Sequence, residues 1–344
     1  MRTMRIFRYA ICALMLVPFF SLSSCKKDDD DADDKLYLNG TLSIEVPAFL
    51  KYGDVVHVIP TGVYRNDESD TLLFYSWKNP ITGKLDTLRK EGDDESAGKE
   101  FDFEVTVDTT CSYSLTAYCW ADGYYTKSAT ASFTVVHPGY GKKGSLQGYD
   151  FLDKLQSYTD PRDGKQYYYN TIDGKDWMIR NLSYAGAGES YRYAEAADEM
   201  FGRFYTWDEA QTACPSGWHT ASDAEFTALC HAAGASSPSE AHADIPDVAG
   251  ALLGDISFNG SSMWDFSPDV RITNNVYFTA LPVGYAINAD KSYFRDMNNR
   301  AVFWTSDEKD SDMAWARCLN QGNTVFYATE FGKSSVRASV RCVR

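Results

Sequence analysis

Histidine is scarce in this chain, at five in 344 residues, and 33 Lys and Arg face 48 Asp and Glu. The resulting formal charge of −15 argues against nucleic acid and anionic membrane surfaces as partners, because both reward basic patches. No G-x-S-x-G or H-E-x-x-H occurs, which removes the usual signs of a serine hydrolase and a zinc peptidase. GKKGS at 141–145 lacks the spacing of a phosphate loop, and TIDGKD at 171–176 lacks the alternating acids and distal Glu of a calcium loop. No cofactor is implied. What remains is 44% hydrophobic and 15% aromatic, enough to build cores, and the length makes two domains the expectation.

The first 24 residues read as a leader. Arg2, Arg5 and Arg8 precede the apolar run YAICALMLVPFF, which is shorter than the ~20 residues of a membrane span. Leu22-Ser23-Ser24-Cys25 resembles the bacterial lipobox, a small-residue cleavage site before a cysteine that becomes lipidated. Cys25 is thus the expected lipid-attachment residue, and several acyl chains give stable anchoring at ~0.8 kcal/mol per buried CH₂. The run KKDDDDADDK cannot bury anything and makes residues 25–35 a self-repelling tether. Acids directly behind such a cysteine resemble the surface-export signal of bacteroidete lipoproteins. The implied location is the outer membrane, lipid-anchored and facing the exterior.

Residues 36–136 read as short strands punctuated by Gly, Pro, Asn and Asp. FDFEVTV alternates, with Phe101, Phe103, Val105 and Val107 on one face. Trp77 falls where antiparallel sandwiches carry a core aromatic, and Tyr113 looks like a tyrosine corner. This segment resembles an immunoglobulin-like or PKD-like β-sandwich, without the antibody-type disulfide, since Leu115 stands where the second cysteine would be. Residues 137–150, Gly-rich and poor in apolar side chains, read as a linker.

Beyond the linker, aromatic strands alternate with turns and helical signals appear. Ser222 and Glu225 form a capping box ahead of FTALCHAAG. WDEAQTA and PDVAGALLG suggest further short helices among strands such as RAVFWTS and NTVFYAT, giving an α+β region in a mainly β chain.

Five stretches recur in order here: YYYNTIDGKDWMIRNL, GRFYTWDEA, CPSGWHTASDAEFTAL, FWTSDE and SVRCV. They make residues 151–344 resemble the Fibrobacter succinogenes major paralogous domain family, which implies a C-type-lectin-like fold. His219-Thr220-Ala221 stands where the family usually has Arg-Leu-Pro, and Phe226 replaces a common Trp. The resemblance also implies that Cys214 meets Cys342, closing a long loop worth about 4 kcal/mol in the chain-entropy model. A Cys230–Cys318 bridge is a further option. Cys111 and Cys119 would lie about 26 Å apart on one extended strand, too far to bridge each other. Trp177, Trp207, Trp218 and Trp304 fall inside the family motifs and read as packing residues.

Cys214 and His219 invite two chemical readings, a nucleophile with its base or half of a zinc site with Cys230 and His231. The turn Pro215-Ser216-Gly217 separates the first pair, and neighbours on a helix cannot easily face one metal. No catalytic residue is assigned on these grounds. The expected function is therefore non-catalytic binding of an extracellular ligand, a polysaccharide or other glycan, with an adhesin or surface-structure subunit recognising protein as the alternative. The resemblance to lectin-like folds places ligand contacts in residues 232–300. Trp264, Tyr285, Tyr293, Asn288 and Asp290 are the candidate contacts there, rings for stacking and polar groups for hydroxyls.

Overall fold

The computed structural model describes residues 35–64, 73–90, 99–108, 110–139, 144–238, 240–289 and 292–344. Cys25 with its leader, most of the acidic tether, and Asp290 lie outside the described residues. The fold is mainly β, with many short strands and few helices. Its described residues divide into two compact units, the first drawn from 35–45, 57–102 and 111–131 and the second from 46–56, 103–110 and 132–344.

In the first unit the strand Phe74–Lys78 pairs antiparallel with both Leu85–Lys90 and Ser112–Trp120. Trp77 lies on this central strand, only 5% exposed, and stacks on Phe101 with centroids 4.5 Å apart. Leu115, Ala117 and Cys119 alternate as the buried face of the neighbouring strand, the period of two that a one-sided sheet imposes. Tyr113 is the second residue of that strand. Gly40 and Gly62 let two strands approach closely, for a Cβ on Gly40 would sit 1.9 Å from the Gly62 carbonyl.

The second unit is organised by a five-stranded sheet in the order Gln156–Thr159, Gln166–Ile172, Lys175–Met178, Cys342–Val343, His219–Thr220. The strand at 342–343 pairs Trp177 through Val343 on one side and Thr220 through Cys342 on the other. A separate antiparallel ladder runs through Arg300–Glu308, Met313–Asn320 and Phe326–Gly332. A third small sheet joins Tyr293–Arg295, Tyr285–Ile287 and Val336–Arg337.

Two helices carry the capping chemistry that starts a helix. Ser222 accepts from the Glu225 N–H while the Glu225 carboxylate accepts from Ser222 N–H, opening Asp223–Ala232. Thr206 and Glu209 do the same for Trp207–Ala213. Phe226, on the inner face of its helix, is fully buried against Trp177, Phe278, Phe303 and Phe326. The PDVAGALLG stretch yields a single helical turn, Ala249–Leu252.

Cys214 and Cys342 form the expected disulfide. Cys230 and Cys318 are buried free thiols, so the optional second bridge does not form. Burial pushes them up to about 12 and about 11, well away from a reactive thiolate. Two fully buried arginines tie the unit together. Arg317 donates to Asp223 from Nε and lies 2.6 Å from it through Nη2, with the Ala243 carbonyl 2.7 Å from Nη1. Arg341 is held instead by the Asn181 side chain and the carbonyls of Met178, Phe278 and Thr279. Burial lowers its pKa to about 9. Leu146 and Tyr149, within the stretch read as linker, are buried in a cluster with Val136, Phe201 and Phe204.

Candidate functional site

The Cys214–Cys342 bond answers one of the sequence questions directly: a sulfur in a disulfide is neither a nucleophile nor a zinc ligand. The adjacent turn closes with Trp218 N–H donating to the Pro215 carbonyl at 2.9 Å. His219 is exposed and lies 2.9 Å from Glu225 Oε1. Burial opposes ionisation of Glu225, but the Ser222 N–H, Lys175 and His219 outweigh it and hold the carboxyl below its ordinary value. This motif is thus a braced helix start.

The candidate ligand residues divide in the structure. Trp264 is 4% exposed and its indole N–H donates to the Ala280 carbonyl at 2.9 Å, so neither face of the ring is free as an open stacking platform. Tyr285 is half-buried against Phe331, with centroids 5.5 Å apart. Asn288 is engaged internally at both amide atoms: Nδ2 donates to the Ser334 carbonyl at 2.7 Å, and Oδ1 accepts from Arg337 Nε at 3.0 Å. Tyr293 stands 66% exposed, with the Arg295 guanidinium 5.7 Å from its ring centre.

A cavity of about 320 Å³ opens where residues 255–272 fold back on themselves. Its lining includes Trp264, Phe266, Asp255, Asp265, Ser262 and Arg271, and does not include Tyr285, Asn288 or Tyr293. The local construction follows from sequence. Phe258-Asn259-Gly260-Ser261 is a two-residue hairpin turn with φ of 50° and 83° at Asn259 and Gly260, the left-handed pair that Asn-Gly favours. The hairpin carries Ser262, and Asp255 lies two residues before its first strand, Ser257–Phe258. The other wall is pinned by Gln321, which accepts from Asp265 N–H at 3.0 Å and donates to the Asp265 carbonyl at 2.7 Å.

Phe266 is 91% exposed, an arrangement that water disfavours for so large an apolar face. Beside it, the side chains of Asp255, Asp265 and Arg271 have no hydrogen bond or ion pair, among the described residues. Sequence reasoning placed contacts within 232–300 and singled out Trp264, but passed over Phe266 two residues later. The available signal was an aromatic between Asp265 and the Ser267-Pro268 turn, where no strand continues to bury it.

The Fibrobacter succinogenes major domain matches residues 171–344. The chain belongs to that family. The matched region contains the capping boxes, the disulfide, both buried arginines and the cavity. No curated protein matches the chain. Among solved structures, a superoxide reductase (neelaredoxin) from Ignicoccus hospitalis is similar at 14% identity, over 28% of this chain and 80% of that one, with a TM-score of 0.21. A likeness at that level carries no argument about fold or activity.

Proposed function

We propose that the family region binds a glycan without catalysis, and that it is displayed outside the cell from a lipid anchor at Cys25. In this reading an immunoglobulin-like spacer carries a C-type-lectin-like domain. The carrying observation is the 255–272 cavity, where an exposed phenyl face adjoins charged side chains with no internal partner among the described residues. Sugar rings present just such paired needs, an apolar C–H face for stacking and hydroxyls for hydrogen bonding. Among the described residues no helix is long and apolar enough to cross a membrane, so the proposed attachment rests on the lipobox. A glycan-array screen of the chain lacking residues 1–24, with Phe266→Ala as control, tests the binding role. Selective binding abolished by the substitution supports it, and no binding by a folded protein refutes it. Fatty-acid labelling that disappears in Cys25→Ser tests the anchor.

The alternative reading, recognition of a protein partner, is favoured by Tyr293 beside Arg295, an exposed residue pair of the kind enriched at protein interfaces. Pull-down of a partner that glycans do not displace and that Tyr293→Ala loses would establish it.

A further inference from the structure

Arg271 differs from the other arginines of its unit. Arg162, Arg203, Arg300, Arg317, Arg337 and Arg344 each hold a carboxylate. Arg180 and Arg341 are spent on backbone carbonyls, and Arg192 and Arg295 lie against tyrosine rings. Arg271 has none of these contacts among the described residues, although it shares one cavity with Asp255 and Asp265. In an acidic protein, an arginine with two carboxylates lining the same cavity would be expected to pair if the loop let it. It pairs with neither here, while the Asp265 backbone is held by Gln321 and Trp264 is held to Ala280.

We infer that the cavity is built for a sugar bearing one carboxylate, a hexuronic-acid residue. This rests on the reading of the cavity as a glycan site and specifies its ligand. The free guanidinium offers a planar fork that fits a carboxylate bidentately. Phe266 offers the stacking face, and the two aspartates and Ser262 accept or exchange hydrogen bonds with ring hydroxyls. The aspartates also set the charge limit. They repel a second negative charge in the cavity, so a singly charged carboxylate is favoured over a doubly ionised phosphate monoester. The volume of about 320 Å³ sits at the low end of the ~300–1,000 Å³ typical of small-ligand sites, which suits one or two rings.

The test is calorimetric binding of the folded chain lacking residues 1–24 to galacturonate and to oligosaccharides carrying one glucuronate among neutral sugars. Each is paired with its carboxyl-reduced, neutral counterpart. The expected result is that reduction weakens binding roughly tenfold or more, the size of a lost charge-assisted contact. Arg271→Gln should bind the acidic form as weakly as the neutral one, while Phe266→Ala should weaken both. Arg271 is exposed, so its replacement should leave the melting temperature unchanged. Equal wild-type binding of both forms, or discrimination surviving in Arg271→Gln, overturns the uronate assignment. If Phe266→Ala still abolishes neutral binding in that case, the glycan reading stands without it. Absence of binding to every pair overturns both.

Discussion

Trp264 and Phe266 are two residues apart and sit in opposite environments, which makes them diagnostic as a pair. Truncating the buried indole removes core packing and leaves the Ala280 carbonyl without its donor, so Trp264→Ala should cost about 3–5 kcal/mol in denaturant unfolding. Phe266→Ala should change stability by less than about 0.5 kcal/mol while removing ligand affinity. The buried ion pair behaves differently again. Asp223→Asn leaves Arg317 charged and uncompensated in the core, and a loss of about 3–5 kcal/mol is expected. In the first unit, a hydrogen bond from His57 to Asp102 at 2.7 Å raises the imidazole pKa above 6.5, with Glu100 adding to it against some loss of hydration. The sign follows from linkage: this contribution is fully present below 6.5 and is lost as pH rises through the higher folded value. An NMR titration should show the raised midpoint, and Asp102→Asn should bring it down.

At the scale of elements, the helix starts and the cavity wall give separate tests. Ser222→Ala removes the side-chain acceptor of a complete capping box and should cost about 1 kcal/mol. Gly260→Ala meets no steric obstacle, since nothing lies within 4 Å, yet φ of +83° should cost about 1–2 kcal/mol. Because the hairpin carries Ser262 and follows Asp255, the same change should weaken ligand binding more than Ser222→Ala does. The helix at 223–232 was legible because S-x-x-E is a local signal. Thr206-x-x-Glu209 carried the same signal ahead of WDEAQTA, where composition alone had suggested a helix. The cavity was not legible, because its walls are fixed by bonds such as Asp265 to Gln321, 56 residues away in sequence. Nor does composition show that Leu146 and Tyr149, in a glycine-rich stretch, would each be buried: two isolated apolar residues make no periodic pattern.

At the scale of the whole molecule, the family motifs located the paired cysteines before any geometry was known, because that pairing belongs to the fold. The Cys214–Cys342 bond spans 128 residues of sequence, and closing so long a loop contributes about 4–5 kcal/mol in the chain-entropy model. Reduction, or Cys342→Ser, should therefore lower the melting temperature of the family region by roughly 8–20 °C. The strand Cys342–Val343 lies between Lys175–Met178 and His219–Thr220 and bonds to both. Its two neighbours, made more than a hundred residues earlier, do not pair with each other in this sheet. A nascent chain therefore has to hold the gap open until residue 343 emerges, and only then can the sheet close and the sulfurs meet. Completion of this unit therefore waits for that strand.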